Sequence, residues 1–285
     1  MKIAFIGLGI MGSRMAQNLV NNDVALTVAN RSEGPIQELV AAGAKGSTSF
    51  KDAVKDADVV FSMLSTPEVV ESLFFGKNGA LQAMKEDALW VDCTTVNPSF
   101  SIKAAAQAKE AGLRFLDAPV AGTKPHAQNA ELTFFVGGPK AYLEEVESLL
   151  GYMGKKTIHV GDIGKGASFK MLVNSLLAQS MLVFAETVHL GEKMGLDKDF
   201  LLNTLPNLIV SAPFTKFKAE MIRNDNYEVQ FPLEWMQKDL HLVTTTAYEY
   251  GQSLYMANMA KEVYNTAKQK GLSREDFAAI YKVFE

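Results

Sequence analysis

The sequence has one cysteine, Cys93, and no excess of basic residues. A single cysteine excludes an intrachain disulfide framework and is typical of a protein in a reducing cytosol. The 285-residue chain carries 28 lysines and arginines against 32 aspartates and glutamates, a formal net charge of −4. Because no basic excess is available to neutralise phosphates, nucleic acid is not expected as a partner. No metal site is predicted.

The chain also lacks a recognisable leader and an unbroken apolar segment of membrane length. Its first residues, MKIAFIG, are strand-like and show none of the regions of a signal peptide. The apolar run after Lys170 is interrupted by Asn174, Gln179 and Glu186, which favours a buried helix over a membrane span. We therefore expect a soluble, cytoplasmic protein with no membrane partner.

Strand-like and helix-like segments alternate over the first 160 residues or so. KIAFIG, ALTVAN, DVVFSML and ALWVDC are short apolar segments, and GSRMAQNLVN and GPIQELVAAG between them have helical patterns. This alternation indicates an α/β fold with a doubly wound, mostly parallel sheet. Strand signals cease after KTIHVGDIG. We predict an α/β domain over residues 1–163 and an all-α domain over 164–285 that begins with a long helix.

The segment FIGLGIMG places three glycines in a G-x-G-x-x-G pattern between the first strand and a helix. In a Rossmann-type domain such glycines allow a tight turn, close approach of a pyrophosphate and close helix–strand packing. The helix N-terminus then presents N–H groups to the phosphates. A tight turn without a ligand is the alternative. The predicted cofactor-binding residues of this turn are Gly7, Leu8, Gly9, Ile10, Met11 and Gly12.

The second predicted strand ends in Asn30, Arg31 and Ser32, which we also predict to bind the cofactor. A carboxylate at this point usually accepts hydrogen bonds from the ribose of NAD(H). A guanidinium can instead bind the 2′-phosphate of NADP(H). NADP(H) is therefore preferred and NAD(H) is possible. The alternative is that Arg31 stacks on the adenine or lies in solvent.

Two further loops follow strand ends, where open α/β sheets bind their ligands. Leu64 and Ser65 of the first loop and Thr95 of the second are predicted to contact the cofactor. Thr95 is the best candidate for the nicotinamide half. Thr94 and Ser99 are interpreted as caps of the helix that follows.

Lys170 and Asn174 lie four residues apart, a spacing that puts both side chains on one helix face. Reduction of a carbonyl by hydride needs a proton, and a positioned ammonium can supply it and stabilise the developing charge. Asn174 could hold the lysine or the substrate. The alternative is a lysine whose stem covers apolar surface while its ammonium reaches water.

Two more segments carry candidate residues. The loop after DAPVAG could hold an anion through backbone N–H groups at Gly122 and Thr123, or it could be a plain turn. FPLEWMQKDLHL places Lys238 and Asp239 on a helix, where adjacent side chains diverge by about 100°. Taken alone, that pair would be interpreted as solvent-exposed charges.

Five motifs together resemble the β-hydroxyacid dehydrogenases over essentially the whole chain. They are FIGLGIMGSRMAQNL, VDCTTVNPS, DAPVAG, GKGASFKMLVN and FPLEWMQKDL, in the family's order and spacing. The family includes 3-hydroxyisobutyrate dehydrogenases, tartronate semialdehyde reductases and relatives of 6-phosphogluconate dehydrogenase. GTKPHAQNAEL and FPLEWMQKDLHL are most similar to its glyoxylate/succinic semialdehyde reductase branch.

The resemblance implies roles for individual residues. Lys170 matches the catalytic acid/base and Asn174 its partner. Thr95 and Lys238 match cofactor-contacting positions. The positions that match the substrate or closure region are Ala121, Gly122, Thr123, Phe231 and Asp239. Ala121 replaces the serine of the usual Pro-Val-Ser-Gly loop. This removes a hydroxyl donor to a carboxylate, a contact worth roughly 1.5–3 kcal/mol.

These observations lead to one expected function and several alternatives. We expect an NADPH-dependent reductase that converts small aldehyde- or keto-acids to hydroxy acids, with the proton from Lys170. An NAD-dependent dehydrogenase of the 3-hydroxyisobutyrate type is the main alternative. An imine reductase and a non-catalytic nucleotide-binding module are less favoured. The partners expected are a small carboxylic acid and further copies of the chain, as a homodimer or homotetramer.

Overall fold

The computed structural model describes all residues from Met1 to Glu285. The chain divides into two compact units, Met1–Lys170 and Met171–Glu285. All strands belong to the first unit, and the second is built from helices. The predicted order of an α/β region followed by an all-α region is therefore confirmed. The predicted boundary at 163/164 precedes this division by seven residues.

One sheet contains every strand of the chain. The strands are β1 (Ile3–Ile6), β2 (Leu26–Ala29), β3 (Lys45–Ser47), β4 (Val59–Ser62), β5 (Leu89–Asp92), β6 (Arg114–Asp117), β7 (Val120–Ala121), β8 (Leu132–Gly137) and β9 (Gly154–Gly161). Their order is β3-β2-β1-β4-β5-β6-β8-β7, and β9 pairs with β8. The first six strands are parallel and have the order of a doubly wound dinucleotide-binding sheet. β8 runs antiparallel to β6 and β7.

Most strands were predicted from their apolar runs, but β3 was not. Its three residues, Lys45, Gly46 and Ser47, have no apolar side chain and are exposed or half-buried. β3 pairs along one edge with β2 and nothing pairs with its other edge. An edge strand of this kind shows no hydrophobic pattern, so periodicity could not find it.

Seven helices cover the sheet and five build the second unit, apart from three short 3-10 helices. The helices are α1 (Gly12–Asn21), α2 (Glu33–Ala41), α3 (Phe50–Val54), α4 (Pro67–Phe74), α5 (Pro98–Glu110), α6 (Lys124–Gln128), α7 (Lys140–Met153), α8 (Lys165–Lys193), α9 (Lys198–Thr204), α10 (Thr215–Arg223), α11 (Leu233–Glu249) and α12 (Tyr255–Gln269). The 3-10 helices are Ala80–Ala83, Leu205–Asn207 and Phe277–Val283. α8 starts in the first unit and continues into the second.

Both faces of the sheet are buried, which explains the near-continuous apolar strands. Successive side chains of a strand point to opposite faces. Phe5 accordingly belongs to a core that includes Met15 of α1, while its neighbour Ile6 belongs to a second core that includes Phe74 of α4. Because the sheet is covered on both sides, its ligand-binding edge is left at the carboxyl ends of the parallel strands.

α8 is long and apolar enough to cross a membrane by length and composition alone. In the structure its residues Met181 and Val188 are buried in a helical core with Leu240 and Tyr264. Packing within the second unit thus accounts for one apolar face of α8. This agrees with the interpretation of the segment as the core helix of a folded domain.

Candidate active site

Two of the three glycines of the turn after β1 are required by protein packing. Gly7 has a φ of +96°, and a Cβ there would come within 2.4 Å of the Met63 carbonyl oxygen. A Cβ on Gly12 would come within 2.0 Å of the Gly7 carbonyl oxygen. Any larger side chain at either position would push apart the turn, α1 and the loop after β4. These two glycines are therefore explained without a ligand.

Gly9 is different, because the protein itself does not require a glycine there. It is exposed, and a Cβ on it would meet no protein atom within 4 Å. α1 begins three residues later, with no side-chain cap and no acidic residue in its first turn. The open approach to the backbone and the free positive end of the helix fit the pyrophosphate of a dinucleotide. The residues present therefore fit the pyrophosphate of a dinucleotide cofactor.

Asn30, at the end of β2, is bound within the protein. Its Oδ1 accepts a hydrogen bond of 3.1 Å from the Leu8 N–H, and its Nδ2 donates to the Ser32 carbonyl oxygen. Asn30 thus joins the end of β2 to the glycine-rich turn. Arg31 and Ser32 are exposed, and the Arg31 guanidinium makes no hydrogen bond or ion pair with the protein. No carboxylate stands at this strand end.

The loops after β4 and β5 are tied together by Thr94. Its Oγ1 accepts a hydrogen bond of 3.0 Å from the Leu64 N–H, and its own N–H donates to Asp92 Oδ1. The interpretation of Thr94 as a helix cap was therefore wrong. Asn97 precedes α5, and Ser99 accepts a hydrogen bond from the Asn97 amide, so Ser99 is not a cap either. Sequence spacing could not distinguish a cap from a link to another loop.

A buried polar network lies beneath these two loops. Asp92 Oδ1 accepts a hydrogen bond of 2.7 Å from the Ser62 hydroxyl, whose oxygen accepts one of 2.8 Å from Trp90 Nε1. Burial raises the pKa of the Asp92 carboxyl from 3.8 to about 6. The half-buried Ser65 and Thr95 follow in the loops that this network holds. Asp92 was not singled out from the sequence, although an acid ending the apolar strand ALWVD was a signal.

The predicted substrate loop follows β7. Gly122 has a φ of +130°, and a Cβ on it would come within 2.7 Å of Leu132 and 2.9 Å of His126. The Thr123 N–H donates a hydrogen bond of 3.2 Å to His126 Nδ1, so this N–H is used inside the loop. Ala121 is half-buried and presents only a methyl group.

Lys170 and Asn174 are both on α8, four residues apart, and both are buried, with exposed fractions of 6% and 1%. A lysine whose ammonium reaches into water would be far more exposed, so that alternative does not fit. Burying two polar side chains on one helix costs free energy unless their polar groups are used. Lys170 and Asn174 therefore form a buried polar face of α8.

Asn174 is held by a side chain of α11. Its Nδ2 donates a hydrogen bond of 2.5 Å to Asp239 Oδ2, and its Oδ1 is buried without a hydrogen-bond partner. Lys238 Nζ lies 2.7 Å from Asp239 Oδ1. Asp239 is 2% exposed, so it is not the solvent-exposed charge that the segment taken alone would suggest. The sequence did not predict the contact between Asn174 and Asp239.

Phe231 lies just before α11 and is half-buried. Its N–H donates a hydrogen bond of 3.0 Å to Asp276 Oδ2, and its ring packs edge-on against Phe277. Asp276 is fully buried and pairs with the buried Lys218 at 2.7 Å. The C-terminal segment thus fixes the backbone at Phe231, a link that the sequence did not reveal.

Two family descriptions together cover almost the whole chain. Residues 2–161 match the family described as the NAD binding domain of 6-phosphogluconate dehydrogenase. Residues 164–284 match the one described as NAD-binding of NADP-dependent 3-hydroxyisobutyrate dehydrogenase. These matches agree with the resemblance found in the motifs.

Individual relatives are similar over nearly the whole of this chain. The chain is 37% identical to glyoxylate/succinic semialdehyde reductase 2, chloroplastic, of Arabidopsis thaliana, over 99% of the chain and 79% of the relative. It is 35% identical to the NAD-dependent L-serine dehydrogenase of Pseudomonas aeruginosa, over 100% of the chain and 98% of the relative. The solved structure of Mycobacterium tuberculosis 3-hydroxyisobutyrate dehydrogenase with L-serine superposes with a TM-score of 0.88 at 28% identity, covering 100% and 99% of the two chains. The chain belongs to the β-hydroxyacid dehydrogenase family and is an NAD(P)-dependent oxidoreductase.

Proposed function

We propose that this protein is an NADPH-dependent reductase of small aldehyde- or keto-acids, of the glyoxylate or succinic semialdehyde type, and forms hydroxy acids. The observation that carries the proposal is the buried pair of Lys170 and Asn174 on α8. A buried ammonium that shares a helix face with a hydrogen-bonded amide suits proton delivery to a carbonyl group as it is reduced. The similarity to the Arabidopsis reductase supports the substrate class.

The cofactor would be held mainly by residues of the first unit. The glycine-rich turn, with its open approach at Gly9, suits the pyrophosphate. Arg31 and Ser32 are exposed and suit a 2′-phosphate, which supports NADPH. Leu64, Ser65, Thr95 and Lys238 are proposed as further cofactor contacts. When bound, the nicotinamide supplies the hydride.

Side chains on α8 and α11 would donate the proton and orient the groups around it. Lys170 donates a proton to the carbonyl oxygen of the substrate and stabilises the negative charge that develops there. An ammonium already carries that proton, so reduction needs no earlier deprotonation. Asp239 fixes the amide of Asn174 through their hydrogen bond, which leaves Asn174 Oδ1 available to accept one.

The carboxylate of the substrate would bind at the loop of Ala121, Gly122 and Thr123. Gly122 lies exposed on this loop, and the Thr123 side chain is half-buried. The family resemblance also assigns Phe231 to the substrate region. Because Ala121 lacks a hydroxyl, the loop binds the carboxylate with fewer donors than a serine-containing loop.

A second candidate is NAD-dependent oxidation of a hydroxy acid of the 3-hydroxyisobutyrate type. Similarity to the NAD-dependent L-serine dehydrogenase supports it. In that direction Lys170 would have to accept a proton from the alcohol and would therefore be needed in its neutral form.

A spectrophotometric screen tests the proposal. The purified protein is assayed for NADPH and NADH oxidation with glyoxylate, succinic semialdehyde and methylglyoxal, and for NAD reduction with 3-hydroxyisobutyrate and L-serine. The proposal expects the highest kcat/KM with NADPH and an aldehyde- or keto-acid. Faster turnover of a hydroxy acid with NAD would favour the second candidate.

We also propose a homodimer or homotetramer, in the cytoplasm. The face of α8 opposite its buried side carries Leu172, Leu176, Val183 and Leu190, each more than half exposed. A row of exposed apolar side chains along one helix face is typical of a protein–protein interface. Light scattering coupled to gel filtration should give a multiple of 31.1 kDa, and Val183→Glu with Leu190→Glu should reduce it. A monomeric wild type would contradict the proposal.

A further inference from the structure

Asp117, at the carboxyl end of β6, is a buried charge that the proposed mechanism does not use. Its exposed fraction is 1%. Oδ1 accepts a hydrogen bond of 2.7 Å from the Gly164 N–H, and Oδ2 accepts one of 2.8 Å from the Ala167 N–H. No lysine, arginine or histidine pairs with it. Its hydrogen-bond donors are thus backbone N–H groups at the start of α8.

These N–H groups are ones that a helix cannot satisfy by itself. The first four N–H groups of a helix have no partner within it, and that end carries the positive end of the helix dipole. Asp117 therefore caps the N-terminus of α8, although it lies on a strand and is 47 residues before Gly164 in the sequence. Burial raises the pKa of the Asp117 carboxyl, and the N–H groups of Gly164 and Ala167 oppose that rise.

Two glycines make room for this carboxylate. A Cβ on Gly137 would come within 2.5 Å of Asp117 Oδ1. A Cβ on Gly166 would come within 2.3 Å of the Phe135 carbonyl oxygen and 2.8 Å of Asp117 Oδ2. β6, β8 and α8 therefore meet around one carboxylate with no spare space. The first turn of α8 is therefore held closely against β6 and β8.

Lys170 follows Ala167 by three residues on the same helix. Three residues correspond to a rise of about 4.5 Å along the axis, less than one turn. Because a helix is stiff over so short a distance, the contacts at Gly164 and Ala167 determine both the height and the rotation of α8 at Lys170.

We propose that Asp117 is a positioning residue for Lys170: by binding the first N–H groups of α8, it holds the lysine where it can deliver its proton. The proposal rests on the proposed role of Lys170. Asp117 touches neither substrate nor cofactor in this account and acts only through the helix. The competing explanation is a helix cap that contributes to stability and not to turnover.

Asp117→Asn is the informative substitution. An asparagine can accept only one of the two hydrogen bonds, and its NH₂ group would face the other N–H. Misplacement of a catalytic group by about 1 Å can lower a rate on the order of 100-fold. We expect kcat to fall by about that factor, while the Kd for NADPH, measured by fluorescence, stays within about twofold.

Gly166→Ala serves as a second variant. It keeps the Asp117 carboxylate but pushes the start of α8 away from it. Gly151→Ala, on α7, is the matched control, because a Cβ there meets no atom within 4 Å. We expect Gly166→Ala to lower kcat as Asp117→Asn does and Gly151→Ala to leave it unchanged. If one variant does not fold, the other still tests the proposal.

The decisive experiment combines Asp117→Asn with Lys170→Ala in single-turnover assays of NADPH oxidation. If Asp117 acts through Lys170, Asp117→Asn slows the wild type about 100-fold but changes the residual rate of Lys170→Ala little. An equal slowing in both backgrounds, or an unchanged kcat in the wild type, would overturn the proposal. Full activity of Lys170→Ala alone would instead overturn the proposed function, so the two failures are distinguishable.

Discussion

Asn174 on α8 and Asp239 on α11 are joined by a hydrogen bond of 2.5 Å between two almost fully buried side chains. The amide Nδ2 donates to the carboxylate, so the orientation of the Asn174 amide is fixed. The carboxylate also lies 2.7 Å from the Lys238 ammonium. An amide held in this way presents its Oδ1 in one direction only, and that oxygen has no hydrogen-bond partner.

Asp239→Asn tests whether this fixed orientation matters. The substitution keeps the shape of the side chain and removes the charge, so the Asn174 amide can turn over. A hydrogen bond to a charged group is worth about 1.5–3 kcal/mol, so kcat should fall about 10–100-fold. The measurement is kcat at saturating NADPH, with Glu262→Gln on α12 as the exposed acidic control. An unchanged kcat would show that Asp239 does not orient Asn174 for turnover.

Arg31→Asp tests the cofactor preference. Arg31 is exposed, and its guanidinium has no hydrogen bond or ion pair with the protein that the change would break. An aspartate would repel a 2′-phosphate and could bind ribose hydroxyls, so the KM for NADPH should rise about 10–100-fold and the KM for NADH should fall. Lys216→Asp, an exposed site on α10, controls for net charge. Equal changes for both cofactors would speak against a phosphate contact at Arg31.

Ala121→Ser tests the reduced donor set of the substrate loop. The half-buried methyl group at this position would gain a hydroxyl that can donate to a carboxylate. We expect the KM for an aldehyde-acid such as succinic semialdehyde to fall about tenfold or more. An aldehyde without a carboxylate is the control and should show no change. A fall of equal size for both substrates would mean that the hydroxyl does not contact the carboxylate.

Asp92 gives the folded protein a distinct pH dependence. Its pKa is raised by burial from 3.8 to about 6, so the folded protein holds a proton over a range in which the unfolded chain has released it. Stability due to this group is therefore lost as pH rises from about 4 to about 6, by about 3 kcal/mol.

Urea unfolding of the wild type and of Asp92→Asn measures this effect. The free energy of unfolding of the wild type, relative to the variant, should fall over that pH range and stay constant above it. The variant is the internal reference, because every other titrating group is shared. A difference that does not change with pH would show that the pKa of Asp92 is the same in the folded and the unfolded chain.

Hydrophobic periodicity predicted the larger part of the fold. β1 and β4 are buried at every position; β1 is entirely apolar and β4 is apolar except for Ser62, so both were found from their apolar runs. β3 was missed because an exposed edge strand carries no such pattern. The start of α8 was recognised, but the carboxylate that caps it was not.

The contacts that the sequence did not predict were missed for one physical reason. Asn174 and Asp239 are 65 residues apart, and Asp117 and Gly164 are 47 apart. Local spacing describes which residues share a face, whereas these partners are brought together only by the packing of elements. Lys238 shows a further limit: helix geometry predicts that it diverges from its neighbour Asp239, yet a long flexible lysine side chain reaches back to the carboxylate.

The central claim, that Lys170 supplies the proton, is tested most directly by single-turnover NADPH oxidation with Lys170→Ala. Lys193→Ala, an exposed lysine at the other end of the same helix, is the control. A positioned general acid contributes about 10²–10⁴-fold, so Lys170→Ala should be slower by that factor with an unchanged Kd for NADPH, and Lys193→Ala should match the wild type. Reduction by Lys170→Ala at the wild-type rate would contradict the account.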